Sequence, residues 1–144
     1  MKNFKSNRSQ QLASNKNKTS IHNSNPNIDN KNEVKNGFGI LKWEDNSTFI
    51  GIFENSKANG IGKLFHIDGF VYEGYFIKNK ANGYGLLYSK DNTLSHSSSE
   101  YEGEWLNDNQ EGIGIETEAD SSEYRGQFKE GDKNGIGKFE WYNG

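Results

Sequence analysis

The sequence predicts an all-β protein: an elongated single-layer antiparallel β-meander of stacked β-hairpins, with a disordered N-terminal tail. Three observations predict it. An aromatic, a Gly and an aromatic at alternate positions recur in four copies, and a Gly-x-Gly begins eleven positions after the first aromatic of each. The Gly-x-Gly pairs start at Gly37, Gly60, Gly83, Gly112 and Gly135, at spacings of 23, 23, 29 and 23. Hydrophobic residues make up only 31% of the chain, against 13% aromatics and 17 glycines in 144 residues. Self-similarity at a fixed period means stacked supersecondary units, each burying its apolar side against its neighbours. A thin aromatic core suits the low hydrophobic content.

The tail, residues 1–36, holds seven Lys/Arg, two Asp/Glu and ten asparagines, a net of +5. It cannot bury enough apolar surface to offset its ordering entropy and is read as disordered. Residues 37–144 hold ten Lys/Arg against eighteen Asp/Glu, a net of −8. They open on a half repeat, 37–48. The register asks for an aromatic at position 26, where Pro26 stands, so no strand is expected before Gly37. Repeat 1 is 49–71, and repeat 2 is 72–100 with an inserted polar loop at 93–100 that accounts for the longer spacing. Repeat 3 is 101–123, and a truncated repeat 4 is 124–144. At "WYNG" the next repeat would begin three residues on, so the expectation is either a longer chain or an uncapped sheet edge open to self-association.

Within a repeat, "YEGEW" reads as one strand and "GIGIET" as the next, joined by a polar hairpin link, "LNDNQE". Period-two alternation sends Tyr101, Gly103 and Trp105 to one face and Glu102 and Glu104 to the other. In the second strand Gly112, Gly114 and Glu116 share a face, and Ile113 and Ile115 point away. The glycines, Gly51, Gly60, Gly62, Gly74, Gly83, Gly85, Gly103, Gly112, Gly114, Gly126, Gly135 and Gly137, are read as seats over which aromatic rings lie. The resulting face is lined by Phe49, Phe53, Tyr72, Phe76, Tyr101, Trp105, Tyr124 and Phe128, with Trp43 and Trp141 from second strands. In a single-layer sheet a packed face is also an exposed one. This aromatic face is therefore the expected partner-binding surface.

The sequence calls for no catalytic site, cofactor or metal. With no cysteine, disulfides, thiolate zinc sites and cysteine nucleophiles are excluded. Gly-x-Gly as a phosphate cradle would need the P-loop Lys or a third glycine leading into a helix, and neither is present. Asn107, Asn109, Glu111, Gly112 and Glu118 echo the spacing of a calcium loop, but the loop starts on Asn and no amphipathic helices flank it. His22, His66 and His96 are scattered, and the Glu102–Glu104 pair reads as a solvated face. No apolar run is long enough to span a bilayer, and no signal-peptide core opens the chain. The expected location is cytoplasmic.

The repeat resembles the MORN (membrane occupation and recognition nexus) family. "YEGEW" at 101–105 followed by "GIG" at 112–114 carries the resemblance, which covers about 37–144 and not the tail. It implies a non-catalytic scaffold for protein–protein contact or self-association at cytoskeletal or membrane-associated assemblies. The alternative it implies is a phosphoinositide- or membrane-targeting module of a larger enzyme, such as a phosphatidylinositol phosphate kinase, with its catalytic part beyond residue 144. Charge favours the first reading. Anionic lipids attract basic segments, and a repeat region at −8 is repelled. Glu116 and Glu118 on the aromatic face favour a basic or apolar protein segment there. The basic tail is expected to make only weak, salt-sensitive contact with anionic membrane, with no specific nucleic-acid binding.

Overall fold

The computed structural model describes residues 19–22, 34–89 and 100–142. Its elements are β1 (Thr19–His22), β2 (Gly37–Trp43), β3 (Thr48–Glu54), β4 (Lys57–Phe65), β5 (Phe70–Ile77), β6 (Lys80–Ser89), β7 (Glu100–Leu106), β8 (Asn109–Thr117), β9 (Glu123–Lys129) and β10 (Asp132–Glu140). They form one open sheet in chain order, every neighbour antiparallel. Among the described residues there is no helix. The all-β, antiparallel meander of stacked hairpins is the fold of the chain.

One expectation is corrected. A strand does precede Gly37: Thr19–His22 pairs with β2, setting Thr19 opposite Trp43 and His22 opposite Ile40. The edge of β2 offers the unpaired backbone groups that β1 meets. The end of the tail read as disordered, 34–36, is ordered as well: the Ser56 N–H donates to the Lys35 carbonyl at 2.8 Å and the Asn55 N–H to Asn36 Oδ1 at 2.9 Å, tying it to the β3–β4 turn. The remainder of the tail, and most of the inserted loop at 93–100, lie outside the described residues.

Within each repeat the hairpin turns in two residues, whereas successive repeats are joined by longer links such as 66–69 and 118–122. Both central residues have positive φ at Asn55–Ser56, Lys78–Asn79, Asn107–Asp108 and Glu130–Gly131, the type I′ geometry whose twist matches that of the flanking strands. The link read as six residues, "LNDNQE", is thus a two-residue turn, and Asn109 to Glu111 already belong to β8. Just past each turn the second strand carries extra residues: Gly51 pairs with Gly62 and Phe53 with Ala58. Gly60 lies in this bulge at φ 114°, as Gly83, Gly112 and Gly135 do in theirs at 64–70°. The bulge bends the strand and increases its twist.

A stripe of glycine pairs crosses the sheet from Gly39–Gly51 through Gly62–Gly74 and Gly85–Gly103 to Gly126–Gly137. The core sits on this face, with Leu41, Leu64 and Leu87 completing it.

Candidate functional site

The aromatic rings expected to greet a partner are the core itself. In order across the sheet Phe53, Phe49, Phe76, Tyr72, Trp105, Tyr101, Phe128 and Tyr124 form an unbroken ladder, each ring meeting the next edge to face. Centroid separations are 4.9–5.3 Å and interplanar angles 79–90°. This is the favoured geometry for two quadrupoles. All eight residues are 1–9% exposed. The reading of the packed face as an open one is therefore corrected for these eight. Each ring lies over the glycine stripe and is flanked by other rings, so little of it reaches solvent. Of the other two predicted residues, Trp43 is half-buried against the core. Trp141 is 68% exposed, with its ring 4.4 Å from that of Phe139.

The ladder also satisfies its polar atoms. The Tyr72 hydroxyl donates to the Tyr75 carbonyl at 3.1 Å, Tyr101 to Glu104 at 2.9 Å and Tyr124 to Gln127 at 3.2 Å. Trp105 Nε1 donates to the Gly85 carbonyl at 3.1 Å. Burial pushes the Tyr72 and Tyr101 phenols well above their ordinary range.

Glu116 and Glu118 do fall on this side, but their charge is answered within the chain. Lys133 Nζ stands 2.7 Å from Glu116 and 2.9 Å from Glu118, over the rings of Tyr124 and Phe139 at 5.1 and 5.3 Å. Burial alone would lower the Lys133 pKa; the two carboxylates outweigh it and hold the group above its ordinary value. Glu116 takes a slot held by Leu41, Leu64 and Leu87 elsewhere, and Lys133 one held by Ala58 and Ala81. The last repeats thus exchange an apolar contact for a buried ion pair.

The surface left to solvent is the opposite face. Its main row consists of the residue inside each Gly-x-Gly and the residue after each strand glycine, paired across strands: Phe38 with Ile52, Ile61 with Tyr75, Tyr84 with Glu104 and Ile113 with Gln127. From β2 to β6 the row is wholly apolar, and Phe38, Ile52, Ile61, Tyr75 and Tyr84 are 38–73% exposed. Ile40 and Ile50 extend it. Beside it lie the Lys63–Glu73 pair at 2.8 Å and the Tyr84 hydroxyl donating to Glu102 at 2.9 Å. The row itself first meets a carboxylate at Glu104 on β7, beside Glu102, which stands where Glu73 stands on β5. Sequence reading missed this row, although the signal was present: the middle of Gly-x-Gly is Phe38, Ile61, Tyr84, Ile113 and Ile136, apolar in all five copies.

The calcium-loop spacing does not assemble a ligand set. Asn107 and Asp108 make the turn, and Glu111 accepts the Glu130 N–H at 2.9 Å. Among the described residues no group of three or more His, Asp or Glu could hold a metal ion. His66 meets Asp68 at 3.2 Å, the side chain of His22 and all of His96 being outside what is described.

A ring ladder over a glycine stripe, repeated hairpin by hairpin, defines a stacked-hairpin repeat protein. The MORN repeat model matches residues 31–48, 49–69, 72–94, 101–122 and 124–144, and the chain belongs to the MORN repeat family. No curated protein matches it in sequence.

Proposed function

We propose that the chain is a non-catalytic scaffold that docks a protein segment on the outer face of β2–β6. The observation that carries this reading is the division between faces. The regularly spaced aromatics are consumed by the core, while a continuous apolar row from Phe38 to Tyr84 stays in solvent. Scattered exposed apolar residues need no explanation, but a contiguous patch does. The occupant is a segment with an apolar stripe and a Lys or Arg at one end. The row terminates on Glu102 and Glu104, and the region 37–144 carries −8 overall. Such a scaffold would work in the cytoplasm, at cytoskeletal or membrane-associated assemblies.

Peptide display against the purified chain tests the reading. Apolar peptides bearing Lys or Arg should be enriched, and Ile61→Thr/Tyr75→Thr should lose them with the fold retained, since both sites are exposed and a Thr–Thr pair is compatible with the directly opposite strand positions they occupy. Enrichment that survives that variant, or enrichment of acidic peptides, overturns it. Salt-sensitive sedimentation of residues 34–144 with phosphoinositide vesicles would move the reading to the lipid-targeting alternative, with an enzyme beyond residue 144.

A further inference from the structure

Charge is divided along the chain more sharply than the regional nets suggest. Residues 1–18 hold Lys2, Lys5, Arg8, Lys16 and Lys18 with no Asp or Glu, so the whole +5 of the tail lies there. Residues 37–89 balance five Lys against five Asp/Glu. Residues 100–142 set four Lys/Arg against twelve Asp/Glu, so the whole −8 of the repeats lies there.

On both faces of the sheet most carboxylates have a cation beside them. Glu73 meets Lys63, Glu123 meets Arg125 and Glu140 meets Lys138, while Lys133 serves Glu116 and Glu118. The outer face of β7 is the exception. Glu100, Glu102 and Glu104 occupy its alternate, exposed positions. Glu102 accepts from the Tyr84 hydroxyl and Glu104 from the Ile113 N–H. Among the described residues no cation stands within ion-pair distance of any of the three.

We infer that residues 1–18 fold back across the apolar outer face of their own chain and set Lys2, Lys5 and Arg8 against the carboxylates of β7. Charge complementarity is the first argument, and reach is the second. β1 lies against β2, and Thr19, opposite Trp43, stands at the end of the strands that carries the links 44–47, 66–69 and 118–122. Glu100, opposite Thr117, stands at that same end. From β1 to β7 is six strand spacings, about 29 Å at ~4.8 Å each. An extended chain covers about 3.3 Å per residue, so the crossing takes about nine residues counted back from Thr19. Arg8, Lys5 and Lys2 then fall at β7 and just beyond it. Leu12 falls over the apolar part of the row, where Tyr75 and Tyr84 are exposed.

The third argument is the tether. Exposed ion pairs are individually weak and screened by salt, so three of them hold a separate peptide poorly. A segment of the same chain is present at an effective concentration on the order of millimolar, and the same contacts then suffice. The cover would occupy the surface assigned to the partner segment. Any segment docking there would have to displace it, and its apparent affinity would fall by the fraction of chains left open. The contact itself rests on the charges of β7, and its failure leaves the docking reading standing.

Carbodiimide cross-linking of the purified full chain at low salt tests it, because the reagent joins a lysine amine to a touching carboxylate as an amide with loss of water. Peptide mapping should find Lys2 or Lys5 joined to Glu100, Glu102 or Glu104. In an equal mixture of ordinary and 15N-labelled chains, each amide should join peptides of one isotope. About 1 M salt, where the Debye length is about 3 Å, should abolish them. A second readout follows the same carboxylates with an added small amine. Their labelling should rise about threefold in full-length Lys2→Gln/Lys5→Gln/Arg8→Gln, as the open fraction grows, while Glu130 at its hairpin turn stays constant. No amide to β7, amides spread equally over Glu130 and Asp132, amides only between unlike isotopes, or labelling that the variant leaves unchanged each overturns the inference.

Discussion

The two glycines of each Gly-x-Gly serve unlike ends. Gly83 has room: a methyl group there would stand 3.5 Å from Tyr75 Cβ, an ordinary contact, but its φ is +70°. Gly74, the partner of Gly85, has no room: a methyl group would stand 2.6 Å from Gly85 Cα and 2.7 Å from the Tyr84 carbonyl oxygen, both backbone. Gly83→Asn should therefore cost under about 1 kcal/mol, because Asn visits the left-handed region, and Gly83→Ala about 1–2 kcal/mol. Gly74→Ala should cost about 3 kcal/mol or more, since overpacking against backbone cannot be relieved by a rotamer change. Urea unfolding ranks the three, and the reverse order would show that conformation, not space, rules the stripe. The phenols set a second test. Tyr72 and Tyr101 keep their protons in the folded chain past the ordinary value of 10.0, so the unfolded chain releases them first and stability falls as pH rises above 10.0. Lys133 acts in the same sense: its raised pKa contributes stability below 10.5 that is lost as pH climbs through the folded value. Tyr72→Phe/Tyr101→Phe should flatten the alkaline limb of a stability–pH profile. Each lost hydroxyl bond should cost about 1 kcal/mol at neutral pH. An unchanged slope would mean that the phenols ionise freely in the native state.

At the scale of the element, a hairpin is tied to the next by its turns as well as by its strands. The Ala58 N–H donates to Asn79 Oδ1 at 2.7 Å, Ala81 N–H to Asp108 Oδ1 at 2.8 Å and Asn107 N–H to Asn82 Oδ1 at 3.3 Å. Ala81 and Asp108 are both buried. Asp108→Ala would leave the Ala81 N–H without its acceptor and should cost about 2 kcal/mol, whereas Asp108→Asn keeps an acceptor oxygen and should cost less. Amide exchange at Ala81 reports the bond itself; protection that survives Asp108→Ala would refute it. These ties explain what the sequence did and did not disclose. Strand alternation and glycine spacing are local signals, so the hairpins, their faces and the family were legible. The bulge was not, because a glycine serving for φ and one serving for space are spelled alike. Nor were the I′ turns, whose positive φ falls on Lys78 and Glu130 as well as on Asn and Gly. Burial of the rings was hidden for another reason. It depends on the offset between repeats that wedges Phe76 against Phe49 and Trp105 against Tyr72, a relation across some 23 residues or more that no single copy contains.

For the whole molecule, the ladder makes stability nearly one-dimensional. Each strand touches its sequence neighbours, and folding energy accumulates as repeat terms plus interface terms. A ring in the middle then carries more than a ring at the end. Trp105 bridges Tyr72 of the preceding repeat and Tyr101 of its own, and its indole N–H is bonded to the Gly85 carbonyl. Tyr124 meets one ladder ring, Phe128, with Lys133 on its other side. Trp105→Ala should cost about 3–5 kcal/mol, and it should also cut the interface between β6 and β7. The two halves would then unfold separately, giving a broader urea transition with a lower apparent m-value. Hydrogen exchange should find β8–β10 opening before β3–β5. Tyr124→Ala should cost less and leave a single transition, because it removes the last rung without dividing the ladder. Equal losses for the two variants, with equally sharp transitions, would mean that the sheet folds as one cooperative unit whose rungs are interchangeable.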